Sequence, residues 1–335
     1  MPLVSVVIPA YNLESMIGAA VGSLAAQSFR DFEIIVVDDC SNDSTFERAR
    51  DALDESGVEH RLMRHDRNKG VSAARNTGLM AARGEYVIFF DGDDLAEHDF
   101  ISRLYGSVSE NGGDAAFCGY KTRDAANGKE KLYPSIDGAF AMTQDELLRR
   151  RLLNRITAML WAAIYRREFL LENGIRLTEG RTAGEDVEFV TKVIAAGAKV
   201  SFVKDCLYIY LQHENMGTRK SESSREKMIT RYKHHTDAHF DEAAFIRSHM
   251  RTHTAKHIVD TYVIPIGLQR MLAVYAASGA DDDYRKMLAD KNVRGILFRS
   301  FRSFFDKPGV FIKSLYALLF PRLYYKTYYV RFNKR

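Results

Sequence analysis

"VIFFDGDDL", residues 87–95, sets four apolar residues against three aspartates within four positions, Asp91, Asp93 and Asp94. The apolar run reads as a strand buried on both faces, as in a parallel sheet covered by helices. Carboxylates a few ångströms apart repel by about 1 kcal/mol in water, and by more where solvent is scarce. A chain that gathers them at the end of a buried strand needs either a cation there or a turn that employs them.

Working outward, apolar runs alternate with helical patterns. "LVSVVIP" (3–9), "FEIIVVDD" (32–39), the more polar "EHRLMRH" (59–65) and "EYVIFFD" (85–91) read as strands. Between them, 13–28 places Ile17, Val21 and Leu24 on one helical face, a second helix runs from about Ser44 to Ser56, and "GVSAARNTGLMAA" (70–82) forms a third. Short connections between alternating strands and helices imply an α/β fold with a mostly parallel, Rossmann-like sheet covered on both faces. Ligands of such a sheet bind outside the carboxyl ends of its strands. From 114 to 212 strands ("DAAFCGY", "KVSFVKDCLYIYL") mix with helices ("TQDELLRRRLL", "EDVEFVTKVIAAG"), and 124–138 reads as a loop. After residue 220 the pattern is helical and charged. A boundary near 215–225 separates a catalytic-type domain, 1–218, from a helical region, 219–335.

With 335 residues, 46% hydrophobic and 27% charged, the chain has length for a real core. Its net charge of +4 is uneven: Val293–Arg335 carries ten Lys/Arg against one acid, Asp306, leaving −5 on the remainder. Three cysteines, Cys40, Cys118 and Cys206, lack metal-ligand spacing and point to free thiols in a reducing compartment. The N-terminus shows no signal-peptide pattern. No run of about 18 uncharged apolar residues suggests a spanning helix. The expected location is the cytoplasm.

The separation of Asp91 and Asp93 by a single glycine, Gly92, lets two carboxylates converge. Mg²⁺ or Mn²⁺ takes carboxylate oxygens and completes its shell with water and substrate phosphate. The alternative is a turn whose aspartates cap a helix beginning near Glu97. In "VVDDCSNDST" (36–45) the acids at a strand end can accept hydrogen bonds from a base or ribose, and Ser41–Thr45 read as helix caps. No Gly-rich phosphate loop follows the first strand, which disfavours a nicotinamide or flavin cofactor. In "DRNKGVSAARNTGL" (66–79), Ala73, Ala74 and Gly78 make a thin helix face, while Lys69 and Arg75 suit either a ligand phosphate or an ion pair with the aspartates. Glu185 and Asp186 open an amphipathic helix carrying Val187, Val190, Val193 and Ile194. They serve the helix dipole or, given a partner site, a base.

"VSVVIPAYN", "VVDDCSNDST", "NKGVSAARNTGL", "YVIFFDGDD" and "GED", in that order, resemble the family 2 inverting glycosyltransferases with the A-type nucleotide-sugar fold, over roughly residues 3 to 218. The resemblance implies a UDP-sugar donor and a glycan or lipid-linked acceptor. Pro9, Ala10, Tyr11 and Asn12, with Glu14 and Asp39 or Asp38, would hold the uracil base and ribose. Asp91 and Asp93 would bind Mn²⁺ or Mg²⁺ against the pyrophosphate, with Gly92, Lys69, Arg75, Glu185 and His213 completing the donor site. Asp186 would be the catalytic base. "YIYLQHENMGTR" (208–219) resembles the segment that closes over the diphosphate, but Leu211 replaces its usual basic residue and Met216 its serine. Phosphate roles for His213 and Thr218 therefore rest on a segment that departs from the family's pattern. The family analogy suggests bacterial surface polysaccharide or glycolipid synthesis. A haloacid-dehalogenase-type phosphatase would place its aspartates after the first strand, not the fourth. A sugar-nucleotide pyrophosphorylase would carry a Gly-rich N-terminal loop. A catalytically inactive nucleotide-sugar binder would have no need to keep Asp91, Asp93 and Asp186.

In 293–335 the ten basic residues are interleaved with twelve aromatics, and Phe298, Phe301 and Phe305 fall on one helical face. Such a segment suits the anionic inner face of the cell membrane. The other readings are aromatics packed back on the protein or an oligomer interface. No nucleic-acid recognition motif accompanies the charge.

Overall fold

The computed structural model describes residues 1–110, 112–136, 138–139, 142–213, 225–303 and 306–333. The chain forms two compact units. One comprises 1–144, 154–181 and 197–213, the other 145–153, 182–196 and 214–335. A single cut near 218 is the expectation from sequence; the units instead interleave, with 145–153 and 182–196 grouped with the C-terminal helices.

In the first unit, β1 (Val4–Ala10), β2 (Phe32–Asp38), β3 (Glu59–Arg64) and β4 (Tyr86–Phe89) run parallel in the order β3-β2-β1-β4. Their register aligns Ala10 with Asp38 and Asp38 with Arg64, and the Phe90 N–H donates to the Val7 carbonyl at 2.9 Å. The carboxyl ends of β1, β2 and β4 therefore open on one edge, with Tyr11, Asp39 and Asp91 just beyond. β1, β2 and β4 are buried along their whole length, because helices cover both faces, while the edge strand β3 is partly exposed. Beyond β4 the sheet turns mixed. β5 is Leu95–Ala96, β6 Ala115–Asp124, β7 Glu130–Tyr133, β8 Gly138–Ala139, β9 Ala163–Arg166 and β10 Val200–Gln212. β9 pairs antiparallel with both β4 and β6, and β10 runs parallel to β6. The expected loop at 124–138 contains β7, an antiparallel partner of β6, and the start of β8.

Helix α1 (Ile17–Ala25) buries Ile17, Ala20, Val21 and Leu24, as its spacing predicts. α2 (Thr45–Ser56) and α3 (Val71–Ala81) follow β2 and β3. α3 lies so close to β1 that a Cβ on Gly78 would sit 2.2 Å from Val7 Cγ1. Gly84 is tighter against main chain, its Cβ position lying 2.7 Å from the Ser5 nitrogen. Main chain of a central strand cannot step aside, and forced overpacking costs about 1–3 kcal/mol. Gly84→Ala is expected to lower the urea midpoint accordingly. Gly106→Ala, in α4 (Phe100–Ser109) with nothing within 4 Å of its Cβ position, should be neutral or stabilising.

The second unit carries α5 (Gln144–Leu152, Gln144 excepted), α7 (Glu185–Ala195) and the C-terminal helices; α6 (Arg167–Glu172) belongs to the first unit. α8 (Arg225–His249) packs on α7 through Thr191, whose hydroxyl donates to buried Glu242 at 3.0 Å. α9 (His253–Ile258) and a π turn (Val259–Val263) lead into α10 (Ile264–Ser278), followed by α11 (Asp281–Ala289) and α12 (Lys291–Arg299). Asp290 caps α12, accepting the Asn292 N–H at 2.6 Å. Prolines begin α13 (Pro308–Leu319) and α14 (Pro321–Asn333), where a missing N–H costs nothing.

The tail aromatics divide. Tyr324 is buried among Leu268, Leu272, Tyr284, Leu297 and Ala317, and its hydroxyl donates to the Gln269 carbonyl at 3.1 Å. Phe298, Phe301, Leu319, Phe320 and Leu323 are 46–61% exposed. Phe298 and Phe301 touch, but α12 ends at Arg299 and a 3₁₀ turn follows, so the expected continuous helical face is interrupted. Phe305 lies outside the described residues.

Candidate active site

The loops after β1 and β2 are laced together. Asn12, in the left-handed region at φ 54°, donates its N–H to Ser41 Oγ and accepts the Asn42 N–H on Oδ1, both at 3.0 Å. Asn tolerates that conformation better than most side chains. The Leu13 N–H donates to Thr45 Oγ1 (2.6 Å), and Glu14 accepts the Ser44 N–H (3.1 Å). The expected capping by Ser41–Thr45 takes a different form. Ser44 makes no side-chain cap; Asp43 accepts the Thr45 N–H at 3.0 Å, while Ser41 and Thr45 clasp the β1 loop. Pro9 and Ala10 are buried in β1 and Tyr11 is exposed, so backbone and a tyrosine ring face this edge.

Asp38 and Asp39 are both buried. Asp38 accepts the Ser41 N–H (3.2 Å) and pairs with Arg64 (3.1 Å). Asp39 Oδ1 lies 2.7 Å from His65 Nδ1 and accepts the Lys69 N–H at 2.8 Å; its Oδ2 accepts the Gly70 N–H at 2.7 Å. A carboxylate offers about four lone-pair sites, and these three contacts take up three of those of Asp39. His65 also meets Thr77 Oγ1 at 2.9 Å and so ties β2 to α3. Sequence reasoning missed it, although its place one residue past β3 sets it level with Asp39. The Lys69 ammonium pairs with Asp66 (2.7 Å), not with the site's aspartates.

The three aspartates that follow β4 have different environments. Arg75, nearly buried on α3, bonds Asp91 at 2.5 Å, so of its two expected roles the structure shows the ion pair. Asp93 Oδ2 lies 3.3 Å from His213 Nε2. Asp94 is buried; it accepts the Tyr208 hydroxyl (2.6 Å) and the Leu211 N–H (2.8 Å). It caps no helix, since α4 starts later, after Asp99; it pins the end of β10 beside the turn and thereby sets His213 next to Asp93. Met216 and Thr218 lie outside the described residues. Burial, then the charge of Asp91, raises the Asp93 pKa above the usual carboxylate value, against the pull of His213. Burial, then Asp93 and Asp91, raises Asp94 well above it. Gly92 has no left-handed backbone. Its reason is space, for a Cβ would lie 2.9 Å from Leu13 Cδ1 and 3.2 Å from Ile17 Cδ1 and Ile8 Cγ2.

Among the described residues no three His, Cys, Asp or Glu gather into a site that would hold a metal alone. Two hard carboxylates at one strand end, of which Asp93 is held above its usual pKa by burial and then by Asp91, are nevertheless a donor set with which Mg²⁺ or Mn²⁺ joins substrate phosphates. The residues fit such an ion.

The Glu185–Asp186 pair belongs to the second unit, at the start of α7. Gly184 before it adopts φ 87°, and a Cβ there would meet Ala238 Cβ and His235 Nδ1 at 3.0 Å, so α8 approaches closely. Asp186 Oδ1 accepts the Val187 N–H at 2.7 Å. His235 is pushed down to about 4, by burial first and then by Arg270, while the charge of Asp186 pulls the other way. Near neutral pH a neutral imidazole stands within electrostatic reach of Asp186. The buried face of α7 comprises Phe189, Val190, Val193 and Ile194 with Glu188, which bonds Lys192 at 2.5 Å; Val187 is only half-buried.

The profile described as Glycosyl transferase family 2 matches residues 5–174. The uncharacterized glycosyltransferase EpsJ of Bacillus subtilis is 31% identical over 217 residues, 64% of this chain and 62% of that protein. The cholesterol galactosyltransferase of Borreliella burgdorferi is 32% identical over 233 residues, 66% and 63% of the two chains. This chain thus spans under two thirds of the length of these relatives. The crystal structure of S. aureus TarS 1–349 in complex with UDP-GlcNAc matches with a TM-score of 0.61 at 20% identity, covering 100% of this chain and 92% of that one. At that identity the likeness shows the fold, the A-type nucleotide-sugar fold expected from the motifs.

Proposed function

We propose that this chain, which belongs to glycosyl transferase family 2, transfers a sugar from a UDP-sugar to a hydroxyl of a glycan or lipid-linked acceptor, inverting the anomeric carbon. The observation that carries this reading is the pair Asp91 and Asp93 at the carboxyl edge of β4, beside the laced loops of β1 and β2. The UDP-GlcNAc bound by TarS supports the donor class, the cholesterol galactosyltransferase relative supports glycolipid synthesis, and surface polysaccharide synthesis rests on the family analogy.

In this reading the backbone of Pro9–Tyr11, with Asn12 and Glu14, receives the uracil and ribose, and the fourth lone-pair site of Asp39 accepts a donor from the base. Arg75 fixes the orientation of Asp91. Mn²⁺ or Mg²⁺ held by Asp91 and Asp93 would supply Lewis-acid stabilisation to the leaving diphosphate. An acceptor hydroxyl is a poor nucleophile until a carboxylate accepts its proton during attack. Asp186 takes that proton as the new C–O bond forms and the bond to UDP breaks. A panel of UDP-sugars with Mn²⁺ should release UDP from at least one donor, faster with acceptor present. Phosphate release from simple phosphomonoesters in place of UDP release would overturn the assignment.

The tail meets an anionic membrane surface. Among the described residues no helix is long and apolar enough to cross a membrane. Leu319, Phe320 and Leu323 are exposed at the corner between α13 and α14, beside Arg322 and Lys326. Each basic residue adds about 1 kcal/mol near such a surface, and each buried methylene about 0.8 kcal/mol. Replacing the three apolar residues with serine is expected to cut partition onto vesicles containing phosphatidylserine by about tenfold or more. Unchanged partition would make the corner an interface between protein chains.

A further inference from the structure

The ends of β1, β2 and β3 are held together by main chain before any side chain is counted. The His65 N–H donates to the Asp38 carbonyl at 2.9 Å, and the Asp39 N–H donates to the Ala10 carbonyl at 2.8 Å. The imidazole of His65 adds little to that register. It acts instead on the carboxylate of Asp39.

An aspartate carboxylate turns about a broad, roughly two-fold torsion, so its partners decide where its lone pairs point. The start of α3 supplies one peptide N–H to each oxygen, Lys69 to Oδ1 at 2.8 Å and Gly70 to Oδ2 at 2.7 Å. With those two alone the oxygens would be equivalent. His65 Nδ1, 2.7 Å from Oδ1, breaks the symmetry. An ionised carboxylate only accepts, so Nδ1 carries the ring proton and Nε2 accepts the Thr77 hydroxyl at 2.9 Å. Thr77 stands on a helix seated hard against the sheet, because the next residue, Gly78, leaves no room for a Cβ beside Val7. Asp39 and His65 are both buried, where such contacts are stronger than in water. Among the described residues Oδ1 thus carries two donors and Oδ2 one.

We propose that His65, braced by Thr77, is a positioning residue for nucleotide recognition: by filling Oδ1 it aims the second lone pair of Oδ2 at an N–H on the edge of the donor's base. The contact of Asp39 with the base rests on the proposed function; the bracing of Asp39 does not. Uracil carries an N–H at N3, between two carbonyls. Cytosine carries a bare lone pair there, which would face that of Oδ2. A site that hydrogen-bonds a ligand N–H rejects the analogue lacking it, because the buried partner is then left unpaired. His65 itself touches no ligand in this arrangement. Its removal should blur base choice and weaken donor binding without slowing bond making at the sugar.

The test is calorimetric binding of UDP and CDP, each with Mn²⁺, to the full chain and to His65→Ala, His65→Asn and Thr77→Val. Melting temperatures, and kcat and KM for a UDP-sugar, are measured on the same proteins. Wild type should bind UDP about tenfold or more above CDP. His65→Ala should lose about tenfold in UDP affinity and little in CDP affinity, with KM rising in step while kcat holds. An asparagine amide places an N–H where Nδ1 stands, so His65→Asn should recover most of the UDP preference although it drops Thr77. Thr77→Val tests the brace with the imidazole in place and should fall between wild type and His65→Ala. A purely structural histidine gives a different pattern: UDP and CDP affinity fall together with melting temperature, and asparagine recovers nothing. That pattern, or an unchanged UDP preference in His65→Ala, would overturn the proposal, as would a wild type that binds CDP as well as UDP. A UDP preference that depends on His65, with no UDP-sugar turned over, would strike the proposed function and leave the positioning role standing.

Discussion

Asp186→Asn is expected to slow sugar transfer by about a hundred- to ten-thousand-fold, with UDP-sugar affinity unchanged. An amide is as large as a carboxylate and keeps an oxygen for the Val187 N–H, which Asp186 accepts at 2.7 Å. The start of α7 should survive the change, and thermal unfolding would confirm it. What asparagine lacks is basicity, so the loss belongs in kcat. Glu185→Gln is the necessary companion, because the two acids are adjacent at the same helix start. A collapse in Glu185→Gln with little effect in Asp186→Asn would move the base by one residue. Full activity in both would remove the base from this helix.

The first four strands were legible because their burial on both faces leaves continuous apolar runs, and the turn residues between them carry the punctuation. β7 was not, since "EKLY" on an exposed hairpin has the composition of a loop. In the site, an ion pair between Arg75 and one of the aspartates was among the sequence readings, but which aspartate it meets, and the partners of Asp39 and Asp94, were not legible. Arg75 reaches Asp91 across 16 residues, and Tyr208 reaches Asp94 across 114. Such pairings are products of strand order, to which local periodicity is blind. Gly92 shows the same limit: the residue was legible, but its reason lies in Leu13, Ile17 and Ile8. The tail also divided by tertiary contact, with Tyr324 taken into a core that Phe298 does not reach.

Asp93→Asn should separate stability from function in opposite directions. Burial and the neighbouring Asp91 hold the Asp93 carboxyl above its usual pKa, so without a cation its ionised form is a cost to the folded state. A group raised in this way contributes most below its unfolded pKa, and that contribution is lost as pH rises through the folded value. Asparagine removes the charge while keeping a partner for His213, which lies 3.3 Å away. The metal-free variant is therefore expected to melt no lower than wild type at pH 7. With Mn²⁺ and UDP the order should reverse. Wild type gains melting temperature by linkage to the bound ligands, and the variant does not. Donor turnover should fall by about a hundredfold or more, the scale of losing one preorganised electrostatic contact to a leaving group. A structural Asp93 would give the contrary result, a lower melting temperature with Mn²⁺-dependent turnover preserved. Asp91→Asn is the less clean variant, because it also strips Arg75 of a 2.5 Å partner inside the fold. The two substitutions together distinguish an aspartate kept for a cation from one kept for an arginine.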